Sequence, residues 1–218
     1  MNYALIGPED RRKAFIQQVA VMPAWHGEIP PENLSRYEVI IDLGVDEHPE
    51  RVGTYASLEE TLVIGSAVKM SLAELLQPHC ANLRATFFGL NALPTFLERE
   101  VWEVSVYQED TKEQLAAWAK GIGKEIQLVH DQVGMVTPRI LFMIINEAYV
   151  VMQEGTADAA AIDQAMRFGT NYPQGPVAWS EEIGLAHIVA VLDKLQQETG
   201  ESRYRVAPLL RRKMRLHS

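Results

Sequence analysis

A single cysteine, Cys80, stands in 218 residues. No internal disulfide can form, and the thiol count suits a reducing compartment. Apolar residues make up 47% of the chain, yet no uninterrupted run reaches the about 18 residues that a membrane-crossing helix requires. The segment Met1-Asn2-Tyr3-Ala4 has neither the basic opening nor the apolar core of a signal peptide. A cytoplasmic location without a membrane partner is therefore expected. Positive charge is scarce as well: 20 Lys and Arg face 29 Asp and Glu, for a net charge of −9. Basic residues gather only near the end, at Arg211-Arg212-Lys213-Met214-Arg215. This argues against nucleic acid as a partner. A basic cluster there suits the last turns of a helix, where cations complement the dipole; an anionic ligand or partner is the other use. No two of the six histidines (His26, His48, His79, His130, His187, His217) share metal-ligand spacing, and no serine sits in a Gly-x-Ser-x-Gly elbow. No metal site is expected.

What is present is a change of period near residue 130. Before it, short apolar runs alternate with helical segments. Residues 2–6 read as a buried strand ending at Gly7, with a helix from Pro8 to about Val21. Further strands are expected at 39–43, 62–65, 83–88, 101–107 and 126–129, with a proline-rich loop over 23–33. Short helices are expected at 71–76, capped by Ser71, and at 111–122. After Gly134, the residues Ile140, Leu141, Ile144, Ile145, Ala148, Val151 and Met152 recur at helical spacing. Helices are expected at about 135–153, 158–168, 179–199 and from 207. The spacing predicts an α/β sheet domain over 1–130 and an all-α domain over 131–218.

The second half carries a specific pattern. Asn146-Glu147-Ala148, Glu154-Gly155 and Ile162-Asp163-Gln164-Ala165-Met166 precede Gly169-Thr-Asn-Tyr-Pro-Gln-Gly-Pro-Val-Ala-Trp-Ser-Glu-Glu-Ile-Gly-Leu185. Arg203-Tyr204-Arg205 and Pro208-Leu209-Leu210-Arg211 follow. The order and spacing resemble the C-terminal helical domain of the 3-hydroxyacyl-CoA dehydrogenases, 3-hydroxybutyryl-CoA dehydrogenase-like, over roughly residues 132 to 214. The resemblance implies a shortened Rossmann-like α/β domain. An all-α domain of the 6-phosphogluconate/3-hydroxyacyl-CoA dehydrogenase type would follow it. It also implies a homodimer through the helical domain and an acyl-CoA-type ligand, which the family holds between its domains.

Several family positions are changed. The family's first strand leads into Gly-x-Gly-x-x-Gly, which brings pyrophosphate onto a helix N-terminus. Here the sequence is Ile6-Gly7-Pro8-Glu9-Asp10-Arg11-Arg12, so only Gly7 remains for cofactor binding, and two carboxylates stand where phosphate would sit. Arg11 and Arg12 are expected to face solvent. The acidic residue due about 20 positions after the glycines has no evident strand to follow. By the resemblance, the family's catalytic histidine falls on Asn91 in Gly89-Leu90-Asn91, and its orienting glutamate, 12 residues on, falls on Glu103. An asparagine takes no proton at useful pH, though it hydrogen-bonds a hydroxyl or a thioester carbonyl. The family's Ser-Asn-Thr-Ser turn keeps only Ser66, in Ser66-Ala67-Val68-Lys69. Its asparagine at the first C-terminal helix becomes Pro138, next to Arg139, with Thr137 adjacent as a substitute or a helix cap.

Asn91, Glu103, Ser66, Thr137 and Arg139 are thus the candidate site, and no bound cofactor is expected. Three readings remain open. One is a catalytically silent relative that binds an acyl-CoA. The second is an active NAD-dependent 3-hydroxyacyl-CoA oxidoreductase with a rearranged site, in which Glu103 or His130 handles the proton. The third is a non-enzymatic structural or regulatory subunit of a fatty-acid or polyketide assembly.

Overall fold

The computed structural model describes residues 2–216; Met1 and His217, both named above, lie outside the described residues. The chain divides into two compact units, Met1–Met135 and Val136–Ser218.

In the first unit seven strands form one sheet: β1 (Tyr3–Ile6), β2 (Trp25–Gly27), β3 (Val39–Asp42), β4 (Leu62–Ser66), β5 (Thr86–Leu90), β6 (Val101–Val106) and β7 (Glu125–Val129). Their order is β2-β1-β3-β4-β5-β6-β7. Every pairing is parallel except β5 with β6. Strands β1, β3 and β4 are buried along their whole length and read as continuous apolar runs, as parallel strands covered on both faces do.

One face packs α1 (Glu9–Gln18) and α4 (Lys112–Ile122). Phe15 of α1 and Leu115, Trp118 and Ile122 of α4 join Tyr3, Ile41, Ile64, Phe88 and Val104 in a single apolar cluster. The Phe15 and Trp102 rings lie 5.2 Å apart, and the Trp102 indole donates to the Leu97 carbonyl at 2.8 Å. Two short helices, α2 (Val52–Ala56) and α3 (Leu72–Leu76), carry buried residues on the other side. Ser71 caps α3 by accepting the Glu74 N–H. Asp131 caps it a second time, one carboxylate oxygen on the Leu72 N–H and one on the Ala73 N–H, at 2.7 and 2.9 Å.

The expected α/β fold class holds, with three local differences. The 23–33 segment contains β2, because Trp25–Gly27 satisfies the open edge of β1. Strand β5 begins at Thr86 rather than Leu83, since the N–H groups of Arg84 and Ala85 both go to the Ala56 carbonyl and pairing with β4 starts only at Thr86. Arg11 does not face solvent: it is 3% exposed.

The second unit is helical: α5 (Thr137–Gln153), α6 (Ala159–Gly169), α7 (Pro176–Ile183), α8 (Leu185–Thr199) and α9 (Pro208–Leu216). The segment expected as one helix over 179–199 is broken at Gly184, whose φ of +93° no ordinary side chain adopts easily. Leu141, Phe142, Ile145, Ala148 and Tyr149 give α5 its buried stripe. Asp158 caps α6, and Asp163 caps α7 through the N–H groups of Val177 and Ala178. Asn146 braces the extended stretch before α9, donating to the Arg205 carbonyl at 3.1 Å and accepting the Ala207 N–H at 2.8 Å. Arg211 pairs in two-pronged fashion with Asp193, tying α9 to α8. Among the described residues no helix is long and apolar enough to cross a membrane.

Candidate functional site

Strands β5 and β6 bring Asn91 and Glu103 together. Leu90 stands opposite Val104 in the antiparallel register, so the next pair along the hairpin is Asn91 with Glu103. Their backbones bond, Asn91 N–H to Glu103 O at 3.0 Å, and so do their side chains, Asn91 Nδ2 to Glu103 Oε2 at 3.4 Å. A carboxylate only accepts here, so it fixes which way the amide faces. The nitrogen is committed to Glu103, and the buried Asn91 Oδ1 has no hydrogen-bond partner. Arg99 lies within electrostatic reach of Glu103: burial lowers the Arg99 guanidinium and the Glu103 carboxylate opposes that shift.

Ser105 follows two residues after Glu103, on the same face of β6. Its hydroxyl is fully buried and also lacks a partner. It lies against Gly89: a Cβ built there would come 2.3 Å from Ser105 Oγ and 2.8 Å from Ala67 Cβ. Only glycine admits the serine at this crossing. Alternation along β4 puts Ser66 on the opposite face, with Leu62 and Ile64, and its buried hydroxyl is unpartnered too. The structure therefore joins Asn91 to Glu103 and adds Ser105, which sequence reasoning missed; the glycine opposite it was the available signal. Ser66 stands apart from them across the sheet.

In the helical unit the cap position of α5 is Val136, with no side-chain cap. Thr137 is the first helical residue and not the cap expected, because Pro138 behind it already sets the first turn. Arg139 donates twice to the Tyr204 hydroxyl, at 3.1 and 2.7 Å. His130 is exposed, and its neighbour Asp131 is committed to α3.

The other place of interest is the C-terminal edge of β1 and β3. Gly7 has φ of +133°, and a Cβ there would meet Leu43 Cβ at 3.0 Å. Pro8 opens α1 with Glu9 and Asp10 in its first turn. Arg11 turns inward, donating from Nη1 to the Leu43 carbonyl at 2.7 Å and from Nη2 to Glu47 Oε1 at 2.5 Å. Lys69 reaches the same Glu47 oxygen at 3.1 Å. Arg12 bonds the Gly7 carbonyl and meets His26 Nδ1 at 3.1 Å. Burial pushes the Glu47 carboxyl up, but the Arg11 and Lys69 cations outweigh it and hold it below its ordinary range. Close by, Asp42 is fully buried beneath the Tyr55 hydroxyl at 2.7 Å. Burial raises the Asp42 carboxyl although Tyr55, Gly44 and Arg51 oppose it. Glu28 directly follows β2, the strand the sequence did not reveal. Among the described residues no group of three or more His, Cys, Asp or Glu is placed to hold a metal ion.

Residues 134–217 match the model of the 3-hydroxyacyl-CoA dehydrogenase C-terminal domain. The chain is 45% identical over 96 residues to the 3-hydroxyadipyl-CoA dehydrogenase of Escherichia coli K12, covering 44% of this chain and 20% of that protein. It is 37% identical over 123 residues to a probable 3-hydroxybutyryl-CoA dehydrogenase of Bacillus subtilis 168, covering 56% of this chain and 43% of that protein. It thus spans less than half the length of these curated relatives. The crystal structure of (S)-3-hydroxybutyryl-CoA dehydrogenase from Ralstonia eutropha superposes with a TM-score of 0.75 at 20% identity, over 99% of this chain and 94% of that one, a likeness of fold. Residues 134–217 thus carry the 3-hydroxyacyl-CoA dehydrogenase C-terminal domain, and the chain as a whole has the fold of the 3-hydroxyacyl-CoA dehydrogenase structures.

Proposed function

We propose that this protein binds a 3-hydroxyacyl-CoA-type ligand without oxidising it through NAD. The observation that carries this reading is Asn91. It occupies the place where a proton acceptor is needed, held by Glu103 as a catalytic imidazole would be, with its amide oxygen unpartnered. That oxygen accepts a hydrogen bond from a hydroxyl and cannot remove its proton. The nucleotide position points the same way. A pyrophosphate needs free N–H groups at the start of α1 and room above Gly7. Glu9 and Asp10 set two negative charges at that helix start, and the Arg11–Glu47–Lys69 ion pairs span the ends of β1 and β3. These residues do not fit the family's dinucleotide.

Calorimetric titration with 3-hydroxybutyryl-CoA and acetoacetyl-CoA, then with NAD and NADH, tests both halves. Acyl-CoA binding with no nucleotide binding and no NADH formed at 340 nm is the expected result. Turnover, or tight NADH binding, overturns the loss of chemistry; absence of acyl-CoA binding overturns the ligand. Homodimerisation through the helical unit completes the reading, supported by exposed Ile140, Phe168 and Leu216 on that unit. Light scattering after gel filtration should give twice 24.5 kDa, and a monomer refutes it.

A further inference from the structure

All 29 acidic residues of the chain precede Ser202. The stretch from there to Leu216 holds Arg203, Arg205, Arg211, Arg212, Lys213 and Arg215 instead. A protein of net charge −9 therefore presents one wholly cationic segment, and α9 forms its end. Three side chains fix this helix. Leu210 is fully buried, the Arg211 fork holds Asp193 of α8, and the Lys213 ammonium lies 5.4 Å from the centre of the Tyr149 ring on α5. Arg212 and Arg215 are exposed and have no ion pair, hydrogen bond or ring contact among the described residues. Pro208, Arg211, Arg212, Arg215 and Leu216 recur every three or four residues and so share one face of α9. They line an open hollow of about 390 Å³. That volume lies at the low end of the range for small-molecule sites, about 300–1,000 Å³.

We propose that this hollow binds a soluble diphosphate, with Arg212 and Arg215 as the groups that hold it. Each guanidinium offers a planar fork that matches two phosphate oxygens. Residues three apart on a helix stand roughly 5–6 Å apart at Cβ, close enough for two forks to grip adjoining phosphate groups. Asp193 neutralises Arg211, so the charge left over at the hollow is that of Arg212 and Arg215. A diphosphate concentrates its negative charge within two adjoining groups, whereas an acidic peptide spreads one charge per side chain. The helix dipole accounts for cations in the last turn of α9, which are Lys213 and Arg215. It does not call for Arg212, one turn before Arg215 on the same face, and like charges at that spacing repel when no anion lies between them. The site lies wholly in the helical unit and is independent of acyl-CoA binding and of the nucleotide position in the sheet unit.

Inorganic pyrophosphate is the probe, titrated calorimetrically into the full chain at fixed ionic strength. Wild type should give one saturable site. Arg212→Gln/Arg215→Gln removes both forks and should weaken binding about tenfold or more, the scale of one hydrogen bond to a charged group. Both residues are exposed, so this variant should melt with wild type. Arg84→Gln/Lys120→Gln makes the same change of net charge on exposed residues of the sheet unit and should bind as wild type does. Arg212→Lys/Arg215→Lys keeps the charge without the forks and should fall between. No saturable binding by wild type overturns the proposal, as does unchanged affinity in Arg212→Gln/Arg215→Gln. So does an equal loss in Arg84→Gln/Lys120→Gln, since the anion then answers only to overall charge. Full affinity in the lysine variant also overturns it, since no fork is then used. Vesicles of phosphatidylglycerol and phosphatidylcholine form a second arm. Retention of the protein on them without pyrophosphate binding gives the patch to a lipid surface and overturns the soluble ligand.

Discussion

The helical unit uses its buried polar groups to close backbone, whereas the sheet unit leaves several unused. Asp158, Asp163 and Asn146 each satisfy N–H or C=O groups that a helix end or an extended strand would otherwise bury unpaired. In the sheet unit the hydroxyls of Ser66 and Ser105 and the amide oxygen of Asn91 are buried without a hydrogen-bond partner. Buried polar atoms of this kind are destabilising and need a reason to be there. In one unit polarity specifies the fold. In the other it stays unpartnered toward the carboxyl ends of β4 and β5, the edge at which α/β sheets commonly bind ligands.

The sharpest way to break the comparison is Gly175→Ala. The glycine lies under Asp163, and a Cβ there would fall 2.2 Å from both Asp163 Cβ and Cγ. Overpacking plus a displaced cap should cost about 3 kcal/mol, seen as a fall in the calorimetric melting temperature. A change within error would mean that Asp163 is not fixed by its two N–H bonds. Next comes Asn146→Leu, which leaves the Ala207 N–H and the Arg205 carbonyl without their side-chain partner. Its expected cost is about 2 kcal/mol. The matching change in the sheet unit, Ser105→Ala, removes an orphan hydroxyl rather than a partner. Stability should stay level or rise by up to about 1 kcal/mol. If Ser105→Ala destabilises as strongly as Asn146→Leu, the contrast between the units collapses.

The same contrast explains what was legible in the sequence. Helix ends announce themselves by residue type, so the break expected between 153 and 158 is found, at a left-handed Gly155 and an Asp158 cap. The pairing of Asn91 with Glu103 was readable only through the family resemblance, since nothing in the residues themselves announced the antiparallel hairpin that makes the contact. Strand β2 was not readable: Trp25-His26-Gly27 is three residues amid prolines, and it is a strand only because β1 has an open edge. Nor was the inward turn of Arg11. An arginine in a first helical turn looks like a solvated residue, and only the return of the chain 32 and 36 positions later supplies the Leu43 carbonyl and Glu47 carboxylate that hold it. Tertiary partners far along the chain decided both cases.

The smallest expected effect concerns pH and separates two carboxylates at the same sheet edge. Glu47 is held below its ordinary 4.5, with the Arg11 and Lys69 cations overcoming the upward push of burial. In the window just below 4.5 the unfolded chain then carries more protons at this residue than the folded one. Stability from Glu47 is complete above that value and is lost as pH falls through the lowered one. Asp42 behaves in the opposite sense. Burial raises it above its ordinary 3.8, so the folded chain holds its proton longer and stability falls as pH rises through that window. Urea denaturation across the acid range should therefore show Glu47→Gln flattening the loss on acidification. Asp42→Asn should flatten the opposing trend, although it also alters the Tyr55 and Gly44 bonds. If Glu47→Gln leaves the acid limb of the curve unchanged, the carboxylate is not held by its two cations.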